Sequence, residues 1–331
     1  MRMVLLGNLV SGYVRVLKQK LSVPCELVPL ADGVDRKVLE EAFATADAAL
    51  VLAWGKHLPP APRLKLLQVS GAGYEAVDFA AVPPTATICN AFGHEEAMGE
   101  YAVMAMLAWC HRFVSYNTAF RRGSWRLGSR FGGPFHDELS GKTVGIIGLG
   151  GIGLAVARRA KALDTRVIAI NRTMRPAPGF VDRVHPWGEL HQFLKESDFV
   201  VICCALNADT TGLIDRAAIA ALGRQAVVIN LARGPIIEED ALYEALKAHR
   251  IGGAILDVWW RYPALDEPEA PPSRHEFRKL SNVLMTPHVS GWTHGMLDRR
   301  MAQVADNMAR LSRGEPFLNL VRPAENRHKL S

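Results

Sequence analysis

The sequence lacks any uninterrupted apolar run of the roughly 18 residues that a membrane-spanning helix requires. Its opening stretch, Met1-Arg2-Met3-Val4-Leu5-Leu6, is also too short for the apolar segment of a secretory signal. These absences predict a cytoplasmic protein with no membrane association. Cysteine is scarce: Cys25, Cys89, Cys110, Cys203 and Cys204 are the five in 331 residues, and none falls in a CxxC or Cys/His spacing suited to zinc. They are expected as reduced core residues, and no metal is expected. Internal repeats and low-complexity segments are missing as well. So is a concentrated charge run, because the formal net charge of +6 is spread along the chain with only short clusters such as Arg158-Arg159. That distribution argues against a nucleic-acid partner but suits small anions.

What is present is a chain of 331 residues, 49% hydrophobic, enough for two ordinary cores. Short apolar runs (Met3 to Leu6, Leu27 to Leu30, Ala48 to Leu52, Leu66 to Val69, Thr87 to Cys89) alternate with helical segments such as Tyr13 to Lys20 and Arg36 to Ala44. This rhythm predicts a parallel α/β layer. From Glu95 to Arg112 the apolar residues Ala97, Tyr101, Met104, Leu107 and Ala108 recur at helical spacing, predicting a long helix that joins two domains. An irregular stretch rich in Gly and Arg follows from Arg121 to Glu138, and a second strand-helix alternation then runs to about Leu284. After Pro287 only one helix, Leu297 to Leu311, and a polar end, Arg322 to Ser331, remain, too little for a domain. The expectation is a cofactor domain at 95–287 inserted in a discontinuous domain of 1–94 and 288–331. The fold class is α/β: a doubly wound parallel sheet within a smaller flavodoxin-like layer.

Gly148-Leu149-Gly150-Gly151-Ile152-Gly153 matches GxGxxG, a weak signal alone. Its context makes it specific: Thr143 to Ile147 is a buried-type strand, Leu154 to Leu163 an Ala-rich helix, and Arg166 to Ile170 a second apolar strand. In such a βαβ unit Gly148 permits the tight turn, Gly150 lets backbone approach a pyrophosphate, and Gly153 allows close helix-strand packing, with the helix N-terminus holding the anion. Gly151 and Ile152 complete the turn. The second strand ends in Asn171-Arg172-Thr173, with no acid where NAD-selective proteins bond the adenosine ribose. Arg172 is suited to a 2′-phosphate, with Asn171 and Thr173 as further donors, so NADPH is the expected cofactor and NADH a possible one. The alternative is a solvated Arg172 and an enzyme that accepts both.

Three further strand ends carry polar residues: Arg233 after Val228-Ile229-Asn230-Leu231-Ala232, Asp257 after Ala254-Ile255-Leu256, and His288 after Leu284-Met285-Thr286-Pro287. Open α/β sheets bind ligands at such ends. Taken singly, each has an ordinary structural account: a surface ion pair, a helix cap, a core histidine. Together with Leu67 to Tyr74, Asn90 to Glu100, Gly141 to Gly153, Ser197 to Val201, Asn230 to Gly234, and Thr286 to Gly291, they make nearly the whole chain resemble the D-isomer-specific 2-hydroxyacid dehydrogenases, near the NADPH-linked glyoxylate and hydroxypyruvate reductases. The resemblance implies that Arg233 holds the carboxylate and keto oxygen of a small 2-keto acid and that His288 passes a proton to that oxygen. Both residue types suit the task, a planar fork and a group that titrates near neutrality. It also implies carboxylate contacts from the backbone of Ala72 and Gly73, cofactor contacts from Ala232, Asp257 and Gly291, and a homodimer formed around Phe113 to Glu138.

One position departs from the family. Five residues after Asp257 and before Pro263, where the family places a glutamate bonded to the catalytic histidine, stands Tyr262. Either its hydroxyl holds the imidazole, or Asp266, Glu267 or Glu269 does, or the step is weakened. The related formate dehydrogenases hold this histidine with a neutral side chain. Two other readings remain open: a dehydrogenase of larger aryl or branched 2-keto acids, served by Trp259, Trp260 and Trp292, and a dinucleotide-sensing protein like the corepressors of this family.

Overall fold

A computed structural model describes residues 1–174, 176–264 and 267–325, which form two compact units, 1–94 with 293–325 and 95–292. The polar end expected from Arg322 therefore lies largely outside the described residues, as does Asp266.

In the first unit the strands β1 (Arg2–Leu6), β2 (Glu26–Leu30), β3 (Ala48–Val51), β4 (Leu66–Val69) and β5 (Thr87–Cys89) are parallel, in the order β5-β4-β3-β1-β2. The strand Leu320–Arg322 adds antiparallel to β5. All of β3, β4 and β5 is buried, which explains their unbroken apolar runs, since a parallel sheet is covered on both faces. One cover is built on Phe43, Trp54 and Leu64. The other includes Met301, Val304, Ala305 and Met308, so the C-terminal helix His294–Arg313 packs on this sheet.

The second unit adds seven parallel strands: β6 (Thr143–Ile147), β7 (Arg166–Asn171), β8 (Arg183–Pro186), β9 (Phe199–Ile202), β10 (Val227–Asn230), β11 (Gly253–Leu256) and β12 (Val283–Met285). Their order is β12-β11-β10-β9-β6-β7-β8, the doubly wound dinucleotide-binding topology, whose direction reverses between β6 and β9. The helices Glu95–Cys110 and Gly151–Lys161 approach so closely that a Cβ on Gly99 would meet the Ala155 backbone at 3.0 Å. Glycine here serves the packing of two helices.

Two details differ from the sequence reading. The long helix stops at Cys110, Arg112 turns left-handed (φ 50°), and a separate helix, Phe113–Arg121, begins. Residues 288–292 group with the second unit, because the amides of Val289 and Ser290 donate to the Asp257 carboxylate there. Among the described residues no helix is long and apolar enough to cross a membrane, and no cluster of His, Cys, Asp and Glu is arranged to hold a metal. Burial pushes the thiols of Cys110 and Cys204 up to about 11.

Candidate active site

The glycine-rich turn follows β6. Gly148 has φ +96°, a conformation L side chains rarely adopt, and a Cβ there would also meet the Cys204 backbone at 3.0 Å. A Cβ on Gly153 would lie 2.0 Å from the Gly148 carbonyl oxygen, so only glycine lets the helix start against the strand. At Gly150, by contrast, a Cβ would meet nothing within 4 Å. Its bareness serves no neighbour within the protein. The helix Gly151–Lys161 has no N-cap side-chain hydrogen bond and no acid in its own first turn, so its first N–H groups suit an anion, with the Glu95 side chain packed beside Gly151. These residues therefore fit the pyrophosphate of a dinucleotide.

At the end of β7, Asn171 Oδ1 accepts from the Leu149 amide at 3.4 Å while its Nδ2 donates to the Thr173 carbonyl at 2.7 Å. Asn171 thus ties the glycine turn to its own strand, with one amide N–H already committed. Arg172 is exposed and lies 3.2 Å from Asp209, itself exposed. A carboxylate does stand beside this end of the site, supplied by a loop 37 residues further on, contrary to the reading of the local sequence.

Arg233, Asp257 and His288 follow the carboxyl ends of β10, β11 and β12, three neighbouring strands. Gly234 must be glycine, since a Cβ would come within 2.3 Å of the Trp259 carbonyl oxygen. That packing fixes the backbone beside Arg233, whose Nη1 donates to the carbonyl of buried Ala232 at 2.7 Å. Asp257 is fully buried and accepts three hydrogen bonds: from Thr286 Oγ1 (2.6 Å) and the Val289 amide (2.8 Å) at Oδ1, and from the Ser290 amide (2.9 Å) at Oδ2. Gly291 closes this segment.

Between the anchored residues stands His288, with φ +58°. For a residue other than glycine this conformation costs on the order of 1–3 kcal/mol and persists only where its surroundings enforce it. Tyr262 Oη lies 2.8 Å from His288 Nδ1 and accepts a longer bond from the Trp259 amide at 3.4 Å. Burial among protein atoms lowers the His288 pKa from its ordinary value, the Asp257 carboxylate raises it, and the Arg233 charge lowers it again, leaving it depressed. Burial likewise raises the Tyr262 pKa, so the group at Nδ1 is a neutral phenol. The geometry thus meets the first of the three alternatives at this position, although Tyr262 remains half exposed.

Ala72 and Gly73 lie in the first unit, in the loop after β4, both partly exposed. The Ala72 carbonyl accepts from Asn90 Nδ2 at 2.7 Å, and among the described residues neither amide N–H has an acceptor. Of the three tryptophans, Trp259 and Trp260 are structural: their indole N–H groups donate to the carbonyls of Thr286 (3.0 Å) and Ile237 (2.9 Å), and both pack in the core. Trp292 is 54% exposed and is alone among them in being free to meet a ligand. Sequence reasoning did not single out Tyr101, whose hydroxyl lies 2.6 Å from Thr286 Oγ1, or Ser290, whose buried hydroxyl has no partner. Their one signal was position, Tyr101 on the helix entering the unit and Ser290 two residues after His288.

Residues 103–290 match the family model described as D-isomer specific 2-hydroxyacid dehydrogenase, NAD binding domain. A hydroxyphenylpyruvate reductase of Plectranthus scutellarioides is 32% identical over 293 residues, covering 86% of this chain and 85% of its own. A glyoxylate reductase of Thermococcus gammatolerans is 31% identical, with 88% and 87% covered. Among solved structures, an NADPH-dependent glyoxylate/hydroxypyruvate reductase of Sinorhizobium meliloti in complex with NADP and sulfate superposes with a TM-score of 0.78 at 26% identity, covering 97% of this chain and 98% of that one. The chain belongs to the D-isomer-specific 2-hydroxyacid dehydrogenases. It is an NAD(P)-dependent oxidoreductase of that family, acting between 2-keto and 2-hydroxy acids.

Proposed function

We propose that this chain reduces a small 2-keto acid of the glyoxylate or hydroxypyruvate type to the D-2-hydroxy acid, using NADPH. The observation that carries the reading is the placement of Arg233, Asp257 and His288 at the ends of three adjacent parallel strands in the sheet that bears the glycine turn. When bound, the nicotinamide supplies a hydride to the keto carbon. Arg233 offers two parallel N–H donors to the substrate carboxylate and positive charge to the keto oxygen. His288 delivers a proton from Nε2, the nitrogen that Tyr262 leaves free. A phenol accepts from Nδ1–H when the imidazole is charged and donates to Nδ1 once the proton has left, so Tyr262 serves both halves of the cycle. Gly148 to Gly153 and Ala232 hold the dinucleotide, and Gly291 and Asp257 border its nicotinamide end.

Arg172 and Thr173 are proposed to favour the 2′-phosphate. The Arg172–Asp209 pair does not prevent this, because both side chains are exposed and such pairs contribute only about 0–1 kcal/mol. A homodimer is proposed through Phe113 to Glu138, where Phe113, Phe120, Trp125, Phe131 and Phe135 are each more than half exposed, an apolar concentration that a monomer rarely shows. A second reading, an aryl 2-keto acid as substrate, is favoured by the hydroxyphenylpyruvate relative and by the exposure of Trp292. The sensor reading drew on the missing glutamate, and the Tyr262 bond weakens that argument. A steady-state screen of glyoxylate, hydroxypyruvate and arylpyruvates with each cofactor tests the assignment. The expected result is the highest kcat/KM for a small keto acid with NADPH, and absence of turnover with every keto acid would overturn it.

A further inference from the structure

Thr286 has one hydroxyl proton, and it is given to Asp257 Oδ1. A carboxylate cannot give it back, so the 2.6 Å bond between Tyr101 and Thr286 runs from the phenol to the threonine oxygen. The chain of donors is therefore directed: Tyr101, on the helix Glu95–Cys110, to Thr286, after β12, to the buried carboxylate after β11. Thr286 is held from its other sides too, its amide donating to the Leu256 carbonyl at 3.0 Å and its carbonyl accepting from Trp259 Nε1 at 3.0 Å. Asp257 in turn grips Val289 and Ser290. Thr286, two residues before the left-handed His288, and Val289 and Ser290, the two after it, are thus tied to one carboxylate, with Pro287 adding its fixed φ.

On the reading of the site given above, we propose that Tyr101 and Thr286 are positioning residues for the reaction: through Asp257 they hold His288 in its strained backbone conformation and disperse the carboxylate charge that faces its ring. Among the described residues, the charged and titratable groups facing that ring are Tyr262 at Nδ1, Asp257 and Arg233. Among the described residues Tyr262 meets this array only through Trp259, whose amide donates to its hydroxyl and whose Nε1 donates to the Thr286 carbonyl.

Thr286→Val keeps the side-chain shape but removes the proton given to Asp257. Oδ1 then turns more negative charge toward the imidazole and the loop relaxes toward solvent, and both effects raise the His288 titration midpoint. The same change should lower kcat by about 10- to 100-fold, the loss of one hydrogen bond to a charged group, with the NADPH dissociation constant altered less than about twofold. Thr286→Ser, which retains the hydroxyl, should restore both. Tyr101→Phe should act in the same direction but less strongly, and the double variant Tyr101→Phe/Thr286→Val should match Thr286→Val alone, because Tyr101 acts only through Thr286. The midpoint is read by NMR on histidine-labelled protein, with the His288 signal assigned by its loss in His288→Gln. This arm needs no substrate, so it stands even if no keto acid is turned over. An unchanged or lowered midpoint in folded Thr286→Val, or kcat losses that multiply in the double variant, would overturn the proposal.

Discussion

At the end of β7, Arg172 and Thr173 are exposed, and Arg172 pairs with the solvated Asp209. At the ends of β11 and β12, a fully buried carboxylate accepts three hydrogen bonds and a histidine is kept in a left-handed conformation. Both regions lie at carboxyl ends of strands in the same sheet, yet they are built differently. Recognition of an adenosine phosphate needs charge within reach and tolerates rearrangement, because a mobile guanidinium can exchange Asp209 for a phosphate at little cost. Proton delivery tolerates little, since a displacement of about 1 Å costs on the order of a hundredfold in rate. On the proposed assignment, the rigid end governs turnover and the soft end governs which cofactor is accepted.

Substitutions separate the two ends. Arg233→Ala should remove two charge-assisted bonds to substrate and lower reductive kcat/KM by about 10²- to 10⁴-fold, with the NADPH dissociation constant nearly intact. Steady-state kinetics beside fluorescence titration of NADPH checks it, and near wild-type turnover would exclude Arg233 from the reaction. Arg172→Ala should raise KM for NADPH about 10- to 100-fold and leave that for NADH almost unchanged. Equal losses for both cofactors would mean that the residue meets the adenine alone or acts structurally. Smaller again, Tyr262→Phe should lower kcat about 2- to 10-fold, the value of one neutral hydrogen bond, and measured kcat without any change would reduce Tyr262 to packing. Asp209→Asn should have the least effect, improving NADPH over NADH by a few-fold as Arg172 loses its competing partner. A worsened preference would show that Asp209 orients Arg172.

Much of this contrast was written in local sequence. Gly148 and Gly153 met the geometric demand expected of them, because left-handed φ and helix-strand contact leave glycine as the available residue. Arg233 and His288 were legible from their places after apolar runs, since a parallel strand presents its carboxyl end to ligand. What escaped was long-range pairing. Asp209 reaches Arg172 from a loop 37 residues away, and Tyr101 reaches Thr286 across 185 residues, distances at which no periodicity or motif carries information. The break at Arg112 escaped for another reason: a single left-handed arginine between two helices leaves no compositional mark. Trp259 and Trp260 were read as possible ligand contacts because their type suits aromatic substrates, whereas their indole N–H groups are consumed by backbone carbonyls.

The pH dependence of reduction tests the central claim, that a neutral Tyr262 supports His288 as proton donor. Reduction consumes protonated imidazole, and the His288 pKa lies below the ordinary imidazole value of about 6.5, so the protonated fraction and the rate fall as pH rises through the acid side of neutrality. A glutamate at the same place would favour the charged ring and raise its pKa. Measured with saturating NADPH and a small 2-keto acid, wild-type kcat/KM should decline with rising pH from below about 6.5, and Tyr262→Glu should carry that decline to higher pH. A wild-type profile flat to about pH 8, unmoved by Tyr262→Glu, would contradict the account.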